Sequence, residues 1–261
     1  MSRSPFARTL GRPPTRRLFL GSALAATGLC QRAWAFGEAS ELDVAEIQLS
    51  SGTLSRPNAW TRLLFELIQT TSVEANPRAV QVAPDDPELF AHPFAVLVGN
   101  ALLPQLSGRS REQLARYVSY GGFLVVDDAS GEAGGPFDTS ARALIASLFP
   151  TRPLAVLSAD HSVYRSFFLL KEPVGRIAAH RVLEGVQLGS MHPVLFCPDD
   201  LSGALDRRPD GLDLHACVPG GEAQRREAIK LAINLVMYAL TSNYKHDQAH
   251  VRALMEEGRI E

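Results

Sequence analysis

Four places in the sequence put reactive side chains close together. The first is Gly121–Asp128, GGFLVVDD, where an apolar run ends in two carboxylates, Asp127 and Asp128. If the run is a parallel strand, its carboxyl end opens on the crevice where ligands of open α/β sheets bind. The bland alternative is that one aspartate caps a neighbouring helix and the other is solvated. The second is ADHSVYRSFF, which holds Asp160, His161, Tyr164 and Arg165, groups suited to proton transfer or anion contact. His161 with Asp127 or Asp128 would make an acid and a base for hydrolysis, provided they lie within hydrogen-bond reach. The third is CVPGGEAQRRE, where Gly220 and Gly221 precede a helix whose free N–H groups, with Arg225 and Arg226, could hold an anion. No phosphate-loop fingerprint follows, and Glu222 puts negative charge at the entrance, so a structural turn is favoured. The fourth is HDQAH, with His246 and His250 one helical turn apart and Asp247 between them. That spacing lets two imidazoles share zinc, but a catalytic zinc takes three protein ligands, and no third is evident. No metal and no cofactor are expected. Nucleophile elbows are absent, since neither Cys197 nor Cys217 stands in Gly-x-Cys-x-Gly and no Gly-x-Ser-x-Gly occurs.

The elements that must position these groups alternate between strand and helix. VAEIQL (44–49), AVQVA (79–83), FAVLVG (94–99) and FLVVDD (123–128) read as strands, the last two apolar enough to be buried on both faces. Between them, Pro57 starts a helix carrying Trp60, Leu63, Leu64, Leu67 and Ile68 at helical spacing. Ser110 with Gln113 reads as a capping box for a helix through Tyr120, stopped by Gly121-Gly122. Asp138 is expected to cap TSARALIASLF. The stretch 150–221 lacks clear periodicity apart from HPVLFCPDD (192–200), a strand with two more terminal aspartates. AQRREAIKLAINLVMYALTS (223–242) is a helix with a deeply buried second half, and HDQAHVRALMEEG a separate amphipathic helix. Strand–helix alternation with apolar central strands predicts an α/β fold, a mostly parallel sheet covered by helices on both faces.

The first 35 residues stand apart. They hold six Arg and no acidic residue, then the apolar run LFLGSALAATGL, then Ala33-Trp34-Ala35, a small-x-small cleavage pattern ending at Ala35. TRRLFL (15–20) looks like a twin-arginine export signal, which carries chains already folded. Export to the periplasm or medium is the expectation, with an uncut basic anchor as the alternative. Leu29 stands where a lipoprotein would need a small residue before Cys30. Of 26 basic residues, 20 remain beyond the cut against 28 acidic ones, a net charge of −8. Such a body argues against nucleic acid or anionic lipid as partner. Cys197 and Cys217 could pair after export or stay free.

GGFLVVDD, DHSVYRSFFLL, CVPGGE and INLVMYALTSNYKHDQAHV together resemble the DUF4159 domain of bacterial envelope proteins, over roughly Leu42 to Leu254. The resemblance is densest in NLVMYALTSNYK followed by Asp247-Gln248. It implies a flavodoxin-like fold similar to the class I glutamine amidotransferases and ThuA-like proteins. It also points to Asp127, Asp128, Asp160, His161, Arg165, Asn243, Tyr244, Lys245 and Asp247 as positions to inspect, without giving any a role. An amidotransferase needs a cysteine on the strand–helix turn, where this chain has Ala129-Ser130-Gly131. The expected organisation is a signal peptide (1–35), a short lead (36–42) and one α/β domain (43–257). Two functions remain open. One is a non-catalytic domain binding a small polar ligand or an envelope protein. The other is a hydrolase of carbohydrate or peptide using Asp127 or Asp128 with His161.

Overall fold

The computed structural model describes residues 42–256, with 242–256 as helix backbone alone. The expected signal segment and its cleavage point at Ala35 lie outside the described residues. The elements run β1 (Val44–Ile47), α1 (Pro57–Thr70), β2 (Val80–Val82), β3 (Phe94–Gly99), α2 (Gly108–Ser119), β4 (Phe123–Asp128), α3 (Pro136–Leu148), β5 (Leu154–Val156), β6 (Glu184–Leu188), β7 (Met191–Cys197), α4 (Leu201–Leu205) and α5 (Gly221–Glu256). Short 3-10 turns occupy Pro87–Ala91 and Ser162–Arg165.

The strands form one seven-stranded sheet in the order β2-β1-β3-β4-β7-β6-β5. β2, β1, β3, β4 and β7 are parallel, and β6 and β5 add an antiparallel edge. β3 and β4 run side by side from Phe94↔Phe123 to Gly99↔Asp128. The winding reverses at β1, because β2 lies on one side of it and β3, β4 and β7 on the other. Right-handed crossovers then put α1 on one face and α2 with α3 on the opposite face, as the packing of α1 with α4 and α5, and of α2 with α3, shows.

Side chains alternate across the sheet, so each strand feeds two cores. Val44, Phe94, Val96, Val98, Phe123, Val125 and Leu195 meet Trp60, Leu64, Leu231, Leu235 and Val236 on the α1/α4/α5 face. Ala45, Ile47, Ala95, Leu97, Leu124, Val126 and Phe196 meet Leu114, Tyr117, Phe137 and Ile145 on the α2/α3 face. Each fully buried Leu, Val or Phe contributes about 1.5–3 kcal/mol, which holds the tips of these strands at fixed positions.

Several boundaries depart from the sequence reading. Ser107 caps α2, its hydroxyl accepting from Ser110 N–H at 3.0 Å, and Ser110 and Gln113 lie inside the helix. α3 starts at Pro136, so Asp138 sits in its first turn and reaches back to Gly134 N–H at 3.0 Å. The long helix and the amphipathic tail are one helix, α5, with no break at His246. Ile68 is 40% exposed, on the edge of the stripe formed by Trp60, Leu63, Leu64 and Leu67. The stretch 150–221 contains β5 and the β6–β7 hairpin. The hairpin turns at Gly189-Ser190 with Gly189 at φ 61, the left-handed conformation a tight turn takes most readily at glycine. Pro193, with no N–H to give, stands where the β6–β7 pairing slips between Val186 and Leu188.

Candidate functional site

Asp127 and Asp128 cannot act together, because adjacent residues of a strand point to opposite faces. Asp127 follows Phe123 and Val125 toward α4, is fully buried, and accepts Leu201 N–H and Ser202 N–H, both at 2.8 Å. It is the anchor for the first turn of α4. Burial first, then the charge of Asp200, pushes its pKa from 3.8 up to about 6. Asp128 faces α3 and closes its own turn, accepting Ser130 N–H at 2.9 Å and Ser130 Oγ–H at 2.6 Å. Burial raises its pKa as well.

Three more carboxylates near this edge are also engaged. Asp200, left-handed at φ 53, accepts Gly203 N–H at 2.9 Å and pairs with Arg56 at 3.1 Å and with Arg176. Asp199 accepts the backbone N–H of His180 and of Arg181 and holds His180 Nδ1 at 2.7 Å. Glu46, buried in β1, takes Trp60 Nε1–H at 2.6 Å, Arg56 N–H at 2.7 Å and Ser55 Oγ–H at 2.8 Å. The switch between β1 and β3, where a doubly wound sheet usually opens, is covered by residues 52–54. Leu54 N–H bonds Val98 O at 2.8 Å, and Thr53 bridges Gly99. A Cβ on Gly99 would stand 2.3 Å from Gly52 O and from the Phe137 ring, so only glycine permits this contact. Cys197 and Cys217 are free, buried thiols, and burial raises both pKa values, the opposite of what a nucleophile needs.

His161 lies at the other end of the sheet. Its Nδ1 accepts Val163 N–H at 3.2 Å, capping the 3-10 turn, and its Nε2 is 3.0 Å from His192 Nδ1. His192 is the second residue of β7, whereas Asp127 pairs with Cys197 at the far end of that strand. At ~3.3 Å per residue, about 16 Å of strand separate them, so the structure does not bring His161 to either aspartate. Burial lowers the pKa of His161, with a smaller push from His192, and burial lowers that of His192 too. Burial thus favours the neutral form of both rings, and for neutral rings the contacts set the order of donation. His161 accepts at Nδ1, so it carries its proton on Nε2 and donates to His192 Nδ1.

Beside this pair a cavity of about 220 Å³ opens between the end of α2, the start of β4, the β6–β7 turn and α5. Among the described residues, Val118, Phe123, Leu188, Met191 and Pro193 give it apolar walls, and His192, Tyr238 and Ser119 give it polar ones. Tyr238 Oη accepts His192 N–H at 3.0 Å. Asn234 on α5, fully buried, secures the neighbouring loop. Its Oδ1 accepts Phe167 and Phe168 N–H, and its Nδ2 donates to Val163 O and Phe168 O.

The remaining sequence candidates scatter. Asp160 and Arg165 are exposed on the loop around His161, and a hydrogen bond from Ser158 lowers the Asp160 pKa. Tyr164 is buried, which pushes its pKa up to about 12. Gly220 gives its N–H to Gln224 Oε1 at 2.9 Å, and Gly221 adopts φ 55 at the start of α5, so the turn is closed from within. Arg225, buried, spends its guanidinium on Ala204 O, His215 O, Glu222 and Asp213, and holds no free charge for an anion. The side chains of Asn243, Tyr244, Lys245, His246, Asp247 and His250 lie outside the described residues; their backbone is part of α5. Among the described residues no cluster of three or more His, Cys, Asp or Glu could hold a metal, and no helix is long and apolar enough to cross a membrane.

Sequence reasoning missed His192, Tyr238, Asn234 and the His180–Asp199 pair. His192 and Tyr238 look like ordinary strand and helix residues until the fold joins them. Asn234 did carry a signal: an amide in the middle of INLVMYAL, at a position too apolar to leave it unpaired.

No curated protein matches the chain. The family model for a domain of unknown function, DUF4159, matches residues 43–240. The match ends within the C-terminal block, so Asn243–Lys245 and Asp247 fall beyond it. With most of its length matched, the chain belongs to the DUF4159 family.

Proposed function

We propose that this protein is an exported, non-catalytic binding domain on an amidotransferase-like, flavodoxin-like fold that lacks the nucleophilic cysteine. Strand order 2-1-3-4-7, with β7 in the fifth place and a hairpin added at the edge, supports the flavodoxin-like reading. The twin-arginine pattern and cleavage motif support export of a folded chain. The observation that carries the proposal is the state of the carboxyl edge. Asp127, Asp128, Asp199 and Asp200 all hold backbone or arginine groups in place, and a cavity of about 220 Å³ lies at the opposite edge.

A panel of glutamine, peptide, ester and glycoside substrates tests this reading. No turnover above the uncatalysed rate is expected. Turnover that disappears in a folded Asp127→Asn or His161→Ala variant would establish the hydrolase instead. One feature favours keeping that second reading in the assay: the imidazole of His180 is oriented by Asp199, as a general base is. His180→Ala therefore belongs in the same panel. Export is tested by fractionating cells that carry Arg16→Lys with Arg17→Lys, in which the protein is expected to stay in the cytoplasm.

A further inference from the structure

The chemistry of the amino-edge cavity narrows what it can hold. Its apolar walls enclose about 220 Å³. An apolar cavity of roughly 150 Å³ takes up benzene, so this one has room for a ring of that size with a small polar group attached. Among the described residues the polar lining comes from three side chains, and one of them is already committed. Ser119 donates its hydroxyl proton to Ala115 O at 2.7 Å. His192 receives a proton from His161 at Nδ1, so its own proton sits on Nε2, which has no partner among the described residues. Tyr238 Oη accepts His192 N–H, and its own proton has no acceptor among the described residues. Among the described residues the lining therefore includes two side chains with an uncommitted proton, His192 and Tyr238, and no carboxylate.

We infer that this cavity is a binding site for a compact monocarboxylate, aryl or branched aliphatic, whose carboxylate accepts hydrogen bonds from His192 Nε2–H and Tyr238 Oη–H while its apolar body packs on Phe123, Leu188 and Met191. This rests on the binding-domain reading above and supplies its ligand class. The donors are held ready before any ligand arrives. Asn234 holds Val163 O, Val163 N–H fixes His161, and His161 fixes the His192 ring. Little ordering remains to be done on binding, which favours the small ligand that the volume dictates.

Benzoate is the probe, with benzyl alcohol as the neutral control, each titrated into the isotope-labelled protein while the imidazole nitrogens of His161 and His192 are followed by NMR. Benzoate is expected to shift His192 Nε2 and to bind about tenfold more tightly than benzyl alcohol, the weight of one hydrogen bond to a charged group. Tyr238→Phe is expected to weaken benzoate by a similar factor. Because Tyr238 also touches His192 N–H, a second variant is needed that leaves the polar chain alone. Ser119→Trp, at the exposed end of α2, fills the mouth and is expected to abolish binding with the melting temperature unchanged. Equal affinity for benzoate and benzyl alcohol would overturn the carboxylate assignment. So would binding that survives Ser119→Trp, or an unmoved His192 signal at saturating benzoate. Loss of this inference without turnover in the substrate panel leaves the binding-domain reading standing, whereas turnover removes that reading whatever benzoate does.

Discussion

Asp127 shows how a side chain chosen for its chemistry can turn out to be an anchor. It lies at the strand tip where a site is expected, yet two backbone N–H groups of α4 occupy its oxygens. Its pKa, raised from 3.8 to about 6 mainly by burial, gives a signed expectation. A carboxyl whose folded pKa is raised contributes its full stability below 3.8 and loses it as pH rises through about 6. Asn has no such ionisation. Asp127→Asn should therefore gain stability relative to the natural protein between pH 4 and pH 7, measured by urea denaturation at each pH. A difference that stays constant over that range would contradict the buried, repelled carboxyl. The histidine pair runs the other way. His161 and His192 have lowered pKa values, so their contribution is full above 6.5 and is lost as pH falls through their folded values. NMR titration should place both midpoints below 6.5, and a midpoint above it for either ring would contradict the neutral donor chain. The period-two rule already separates Asp127 from Asp128 in the sequence. That His161 meets His192 could not be read there, because the two are 31 positions apart in the sequence and meet only once the β6–β7 hairpin has formed.

Among the elements, those with strong periodicity were legible. Phe94–Gly99 and Phe123–Asp128 are strands with the bounds their apolar runs suggest, and Pro57 does open α1. β5 was hidden because it is three residues long at the sheet edge, with Ala155 and Val156 exposed, so no buried face marks it. β6 was detectable in principle, since Gly189-Ser190 between EGVQL and MHPVLFC is a two-residue hairpin signal. Two element-scale tests follow from particular contacts. Asn234 joins α5 to the loop after the second 3-10 turn through four hydrogen bonds. Asn234→Leu should cost about 2–4 kcal/mol, because it strands buried backbone groups without partners, and should expose residues 163–170 to limited proteolysis. A stable variant with an intact loop would show that packing alone holds the segment. Gly99 lets residues 52–54 close over the β1–β3 switch. Gly99→Ala should cost about 1–3 kcal/mol through overpacking, read from the denaturation midpoint. A neutral effect would mean that this closure is loose enough to open for a ligand.

At the scale of the whole molecule, the two edges of the sheet have different characters. The carboxyl edge is packed with paired charge, including Arg56 and Arg176 around Asp200 and Arg225 beneath His215. The amino edge has an apolar hollow lined, among the described residues, by His192 and Tyr238 as well. The fold class and the direction of the central strands were readable from composition and alternation. Which edge is open was not, because it depends on how loops 52–54 and 176–181 fold back over the strand tips. A crystallographic soak with a mixed library of small fragments tests this polarity most directly. Bound fragments are expected to cluster against Phe123, His192 and Tyr238, with none at Asp127 or Asp200. Fragments seated among Asp127, Asp199 and Asp200, with the amino-edge cavity empty, would contradict it.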